Sequence, residues 1–116
     1  MVRVSGQLEF SPPVILPGSA TAWVRLLDVS QADAPSVAVA EQELRGLSEA
    51  VNAGGAAMFL LQAADLEPRG SYIVSVHVSM EGSRTVRAGD YLTVQSYPVR
   101  VQGPSQALTV QVKPVS

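Results

Sequence analysis

Ser71-Tyr72-Ile73-Val74-Ser75-Val76-His77-Val78-Ser79-Met80 is the stretch that decides the fold. Tyr72, Val74, Val76, Val78 and Met80 point one way, and Ser71, Ser75, His77 and Ser79 point the other. A period of two with one apolar face marks a half-buried strand. Glu81-Gly82-Ser83 follows it as a hairpin turn, because glycine tolerates the positive φ such turns need.

The same alternation runs outward in both directions. Upstream, Val2, Val4, Leu8 and Phe10 oppose Arg3, Ser5, Gln7 and Glu9. Residues 19–30 place Ala20, Ala22, Val24 and Leu26 on one face and Trp23, Arg25, Leu27 and Val29 on the other. Residues 36–45 set Ala38, Ala40 and Leu44 against Val37, Val39, Glu41 and Glu43, after a turn at Asp33-Ala34-Pro35. A short strand is expected over Ala57 to Gln62. Downstream, strands are expected over 84–88 and 91–101, broken at Ala88-Gly89-Asp90, then a turn at Gly103-Pro104-Ser105 and a last strand through Leu108, Val110 and Val112. Residues 46–55, rich in glycine, read as a loop with at most one helical turn at Leu47–Val51. Ser11–Gly18 carries three prolines. Proline cannot donate to a ladder, so this segment reads as a connecting loop or a protected edge.

Seven or eight strands without crossover helices predict an all-β, antiparallel β-sandwich of the immunoglobulin or fibronectin III type, a single domain over 1–116. The expected core is Val4, Leu8, Val24, Leu26, Val74, Val76, Val78, Val110 and Val112. Within this frame, Leu66-x-Pro68-x-x-x-Tyr72 resembles a tyrosine corner, in which the phenol hydroxyl bonds back to upstream backbone and pins the chain crossing.

Composition narrows the function. The chain has 116 residues, 47% hydrophobic and only 16% charged, with a net charge of −2. A nucleic-acid binder concentrates basic residues on one face, whereas here they are scattered. There is no cysteine, which excludes disulfides, zinc–thiolate clusters and thiol nucleophiles. No apolar run reaches the ~20 residues of a membrane span, and the opening residues lack the pattern of a signal peptide.

No catalytic, metal or cofactor site is expected. His77 is the only histidine and alternates with Ser75 and Ser79, with no orienting acid nearby in sequence. Glu41 and Glu43 share a strand face about 7 Å apart, as solvated residues do. Gly54-Gly55 lacks the strand–loop–helix setting of a phosphate loop. Trp23 is the residue to watch. It is either covered by the loop at 12–17 or left at a surface, where an aromatic marks a partner site. Trp23, Arg25 and Leu27 together form an apolar stripe with one charge on the face opposite the core, the expected site for a protein partner. The alternative is a small-ligand or carbohydrate module using Trp23, Tyr91 and Tyr97 as surface aromatics.

Several stretches resemble the YbaY/YscW-type lipoprotein family. They are Val4-Ser5-Gly6, Leu16-Pro17-Gly18, Leu26-Leu27-Asp28-Val29-Ser30, Ala32-Asp33-Ala34-Pro35, Ala40-Glu41-Gln42 and Tyr97-Pro98-Val99, in that order along nearly the whole chain. The resemblance implies a noncatalytic β-sandwich of the bacterial cell envelope, in the periplasm or at the outer membrane. In the secretion-associated branch, the pilotins, it implies a protein partner: the tail of an outer-membrane secretin, or an envelope assembly factor. The family's lipid-accepting cysteine has no counterpart here, so a membrane link is expected only through an anchor absent from these residues.

Overall fold

A computed structural model describes residues 2–10, 14–31, 33–102 and 105–115. The elements are β1 (Val2–Phe10), β2 (Thr21–Asp28), β3 (Val37–Arg45), α1 (Leu47–Asn52), β4 (Ala57–Ala63), β5 (Tyr72–Ser79), β6 (Tyr91–Thr93), β7 (Tyr97–Val99) and β8 (Gln106–Pro114). Alternation sets the burial of the strands. β4 alternates buried and exposed residues along its whole length, and β5 alternates buried and half-buried ones up to its buried end at Ser79. The nine residues expected in the core are all buried. They are joined by Phe59, Leu61, Tyr72, Tyr91 and Tyr97, among others.

The fold is all-β, but the expected immunoglobulin-like, all-antiparallel sandwich is corrected. All eight strands belong to one mixed sheet in the order β3-β2-β5-β6-β8-β1-β4, with β7 paired to β5 off that path. β1 and β8 run parallel, from Val4 opposite Gln106 to Phe10 opposite Val112. Parallel neighbours need a long connection, and here the rest of the chain is that connection, because the first and last strands are the ones that meet. Alternation reports which face is buried and carries no sign of strand direction. β6 makes the sheet continuous, pairing β5 through Leu92 and Tyr91 on one side and β8 on the other.

The sheet curls until it is nearly a barrel. β3 and β4, the ends of the path, lie side by side. Among the described residues no backbone ladder joins them. Instead the Leu60 N–H donates to the side-chain Oε1 of Gln42 at 2.6 Å. Gly6, in the middle of β1, is required by this curl. A Cβ there would collide with the Leu108 carbonyl oxygen and lie 2.8 Å from the Phe59 ring.

Three local expectations are corrected. The loop at 46–55 contains α1, because Leu47 is buried and Val51, one turn on, packs against the same core. Asn52 at its end fastens the helix to the segment before β2: its Oδ1 accepts from Leu16 N–H at 2.7 Å, and its Nδ2 donates to Leu16 O at 2.9 Å. Residues 84–88 are no strand and 81–83 no hairpin turn. The whole of 80–90 is one connecting loop, whose amides are taken up by side chains rather than by a ladder. Finally, 91–101 is divided into β6 and β7. Pro12 and Pro13 of the expected edge guard, Ala32, and Gly103-Pro104 of the expected turn lie outside the described residues.

Candidate functional site

The outer face of β3, β2 and β5 carries a linked set of polar side chains. Trp23 of β2 pairs across β3 with Glu43 and across β5 with His77. Its ring is covered, at 3% exposure. The cover is the Arg84 guanidinium, 5.0 Å above the ring centroid, and the His77 ring, 5.5 Å away and tilted by 32°. Trp23 Nε1–H donates to Glu43 at 3.0 Å.

Arg84 also grips Glu41 with both ends of its fork, at 2.7 and 3.2 Å, while Arg25 donates to Glu41 at 2.7 Å. The Arg84 hydrogen bonds, more than those of Arg25, hold the Glu41 carboxyl down at about 2. The hydrogen bond from Trp23, then that from Arg45, lowers Glu43. Glu41 and Glu43 therefore serve separate cations rather than acting as a carboxylate pair.

His77 does have an acid beside it. Its Nε2 lies 3.0 Å from Asp90 Oδ2, and both side chains are nearly buried. The expectation of no orienting acid is corrected, because Asp90 reaches His77 by the return of the 80–90 loop, 13 positions along the chain. Asp90 also accepts from the N–H groups of Met80 at 3.1 Å and Arg87 at 3.0 Å. Burial pushes this carboxyl up, but His77 and the two amides outweigh it and hold Asp90 below its ordinary range. The constellation is a staple that closes the loop on the sheet. Ser79 assists, its Oγ accepting from Glu81 and Ser83 N–H. Among the described residues no group of three or more His, Cys, Asp or Glu could hold a metal.

Further along the same face lies an apolar row. Ala38 of β3 sits opposite Leu27 of β2, Leu27 opposite Ile73 of β5, and Ile73 opposite Pro98 of β7. Leu27 and Ile73 are half-buried, and Ala38 and Pro98 exposed. A bulge between Leu26 and Leu27 leaves Val39 as an extra residue of β3 beside the row, 38% exposed. So the structure separates the residues of the expected stripe: Trp23 is sealed, Arg25 is ion-paired, and Leu27 opens onto the apolar row. Sequence reasoning missed Ile73, Pro98 and Val39. Cross-strand register brings them together, and only pairing partners could have signalled it. The surface aromatics of the carbohydrate reading are corrected too. Tyr91 packs edge-on against Phe10 at 5.1 Å, and the buried Tyr97 hydroxyl accepts from Gln111 N–H at 2.8 Å.

At the other end of β5, the buried Tyr72 hydroxyl accepts from the Glu67 N–H at 3.0 Å. Leu66 packs against the core, and Pro68 is exposed in the bend between. The phenol folds back over Gly70, where a Cβ would lie 2.7 Å from the ring.

The family described as type III secretion system lipoprotein chaperone (YscW) matches residues 1–112. The chain belongs to this family. The YscW-family fold is also found in a solved structure, an alternative pilotin from the type II secretion system of Vibrio cholerae. It aligns with a TM-score of 0.74 over 98% of this chain and 96% of that one, at 21% identity. No curated protein matches the chain. The stretches that carry the YscW resemblance hold structural positions here: Leu16 is gripped by Asn52, Leu27 lies in the apolar row, and Tyr97 ties β7 to β8.

Proposed function

We propose that this chain is a noncatalytic escort for an outer-membrane secretin, working in the periplasm or at the outer membrane of the bacterial envelope. The observation that carries this reading is membership of the YscW family over residues 1–112. The full-length likeness to a pilotin fold is in keeping with it. The secretin tail docks on the outer face of β3, β2, β5 and β7, with Leu27 at the centre and Arg25 at the margin. Support comes from the row Ala38, Leu27, Ile73 and Pro98, the surface where apolar groups cross four strands. An amphipathic segment laid across such a row buries its apolar side and leaves its polar side in water. With a net charge of −2 on the chain, contact along this row depends weakly on salt.

The test is titration of the C-terminal segment of the secretin from the same secretion system against wild type, Leu27→Glu and Ile73→Glu. Each substitution is expected to weaken binding at least about tenfold, the scale of a central contact, with the melting temperature nearly unchanged. Equal affinities in folded variants would remove this face as the docking site.

A further inference from the structure

The Arg84 guanidinium sits in a seat built entirely from other elements. Trp23 of β2 supplies the aromatic floor at 5.0 Å, and Glu41 of β3 supplies the two carboxylate oxygens at 2.7 and 3.2 Å. Glu43, fixed by the Trp23 indole N–H, adds a second negative charge at the rim. The seat is rigid because it stands on paired strands. Its occupant stands on the 80–90 loop, between Gly82 at φ 76° and Gly89 at φ 92°, and the Arg84 side chain is 54% exposed. An aromatic face combined with a two-oxygen acceptor is the arrangement that recognises a planar guanidinium specifically.

The loop has other ties to the sheet besides Arg84. Asp90 holds Met80 and Arg87, Ser79 holds Glu81 and Ser83, and Ser19 Oγ–H donates to the Met80 carbonyl at 2.6 Å. Arg84 is thus one of several ties on the loop, and the one that fills an aromatic site on the docking face. We propose that Arg84 is an exchangeable internal occupant, and that the seat of Trp23, Glu41 and Glu43 accepts an arginine side chain of the partner once Arg84 lifts away. This deepens, and rests on, the reading of the β3–β2–β5 outer face as the docking face. It gives Trp23 a role in binding despite its cover. It also assigns the partner a basic residue spaced from its apolar stripe by the distance from Leu27 to Trp23 along β2.

N-acetylarginine amide is the probe and the fluorescence of Trp23, the only tryptophan, is the readout. Arg84→Ala is expected to bind the probe at least tenfold more tightly than wild type, with N-acetylcitrulline amide inert and binding weakened by salt. Glu41→Gln in the Arg84→Ala background is expected to abolish the response. If folded Arg84→Ala binds the probe no better than wild type, or binds the citrulline control equally, the seat is a structural salt bridge and the proposal is overturned. The secretin-segment titration separates the two ideas. Segment binding that depends on Leu27, with no probe binding by Arg84→Ala, removes the seat and keeps the docking face. Probe binding with no segment binding supports the seat and removes the docking face.

Discussion

Tyr72 and Gly70 act as one unit. The hydroxyl takes the Glu67 amide, and the absent side chain of Gly70 makes room for the ring. Tyr72→Phe is expected to cost about 1 kcal/mol, the low end for an unsatisfied amide because water reaches this bend. Gly70→Ala is expected to cost more, since the ring must move. Urea midpoints of the two variants, measured side by side, check the order. Trp23→Ala is expected to lower stability by about 3–5 kcal/mol, as for a large buried aromatic. Its effect on binding is therefore best read through Arg84 and Glu41. The Tyr72 bond to the upstream Glu67 amide is in keeping with the spacing of Leu66, Pro68 and Tyr72. The cover over Trp23 was not legible in the sequence, because it comes from Arg84, far along the chain.

At the scale of elements, the 80–90 loop shows where pattern reading stops. Its residues alternate well enough to resemble a strand, yet their amides bond to Asp90 and Ser79. A carboxylate that accepts three bonds replaces a ladder, and no local rule announces it. Asp90→Ala strands two amides and His77, and is expected to destabilise the domain by about 3 kcal/mol. Hydrogen exchange should then rise first at Met80 and Arg87; unchanged protection there would deny the staple. Acid acts on the same region. Glu41 and Asp90 both titrate lower in the folded chain than when unfolded. Their stabilising contribution is thus complete above the ordinary carboxylate range. It is lost as pH falls toward about 2, where Glu41 takes up its proton. Melting temperatures from pH 6 to 2 are expected to fall most steeply below about pH 4.5. Glu41→Gln should flatten that fall.

Over the whole molecule, the faces of the strands were readable and their order was not. Parity along each strand assigns Val4, Val24, Val74 and Val110 to the core, and all four are buried there. The parallel β1–β8 pair and the open join between β3 and β4 depend on which strands become neighbours, and side-chain alternation is silent on that. Family membership adds support for the secretin-escort reading over the others that the residues alone left open. We propose escort of a secretin to the outer membrane. The direct measurement is the amount of assembled secretin multimer in outer-membrane fractions of the source bacterium. Cells lacking the chain would be compared with cells restored by wild type or by Leu27→Glu. Loss of the multimer on deletion, rescue by wild type and failure of rescue by a stably folded Leu27→Glu is the expected result. Undiminished multimer in the outer membrane of cells without the chain would contradict it.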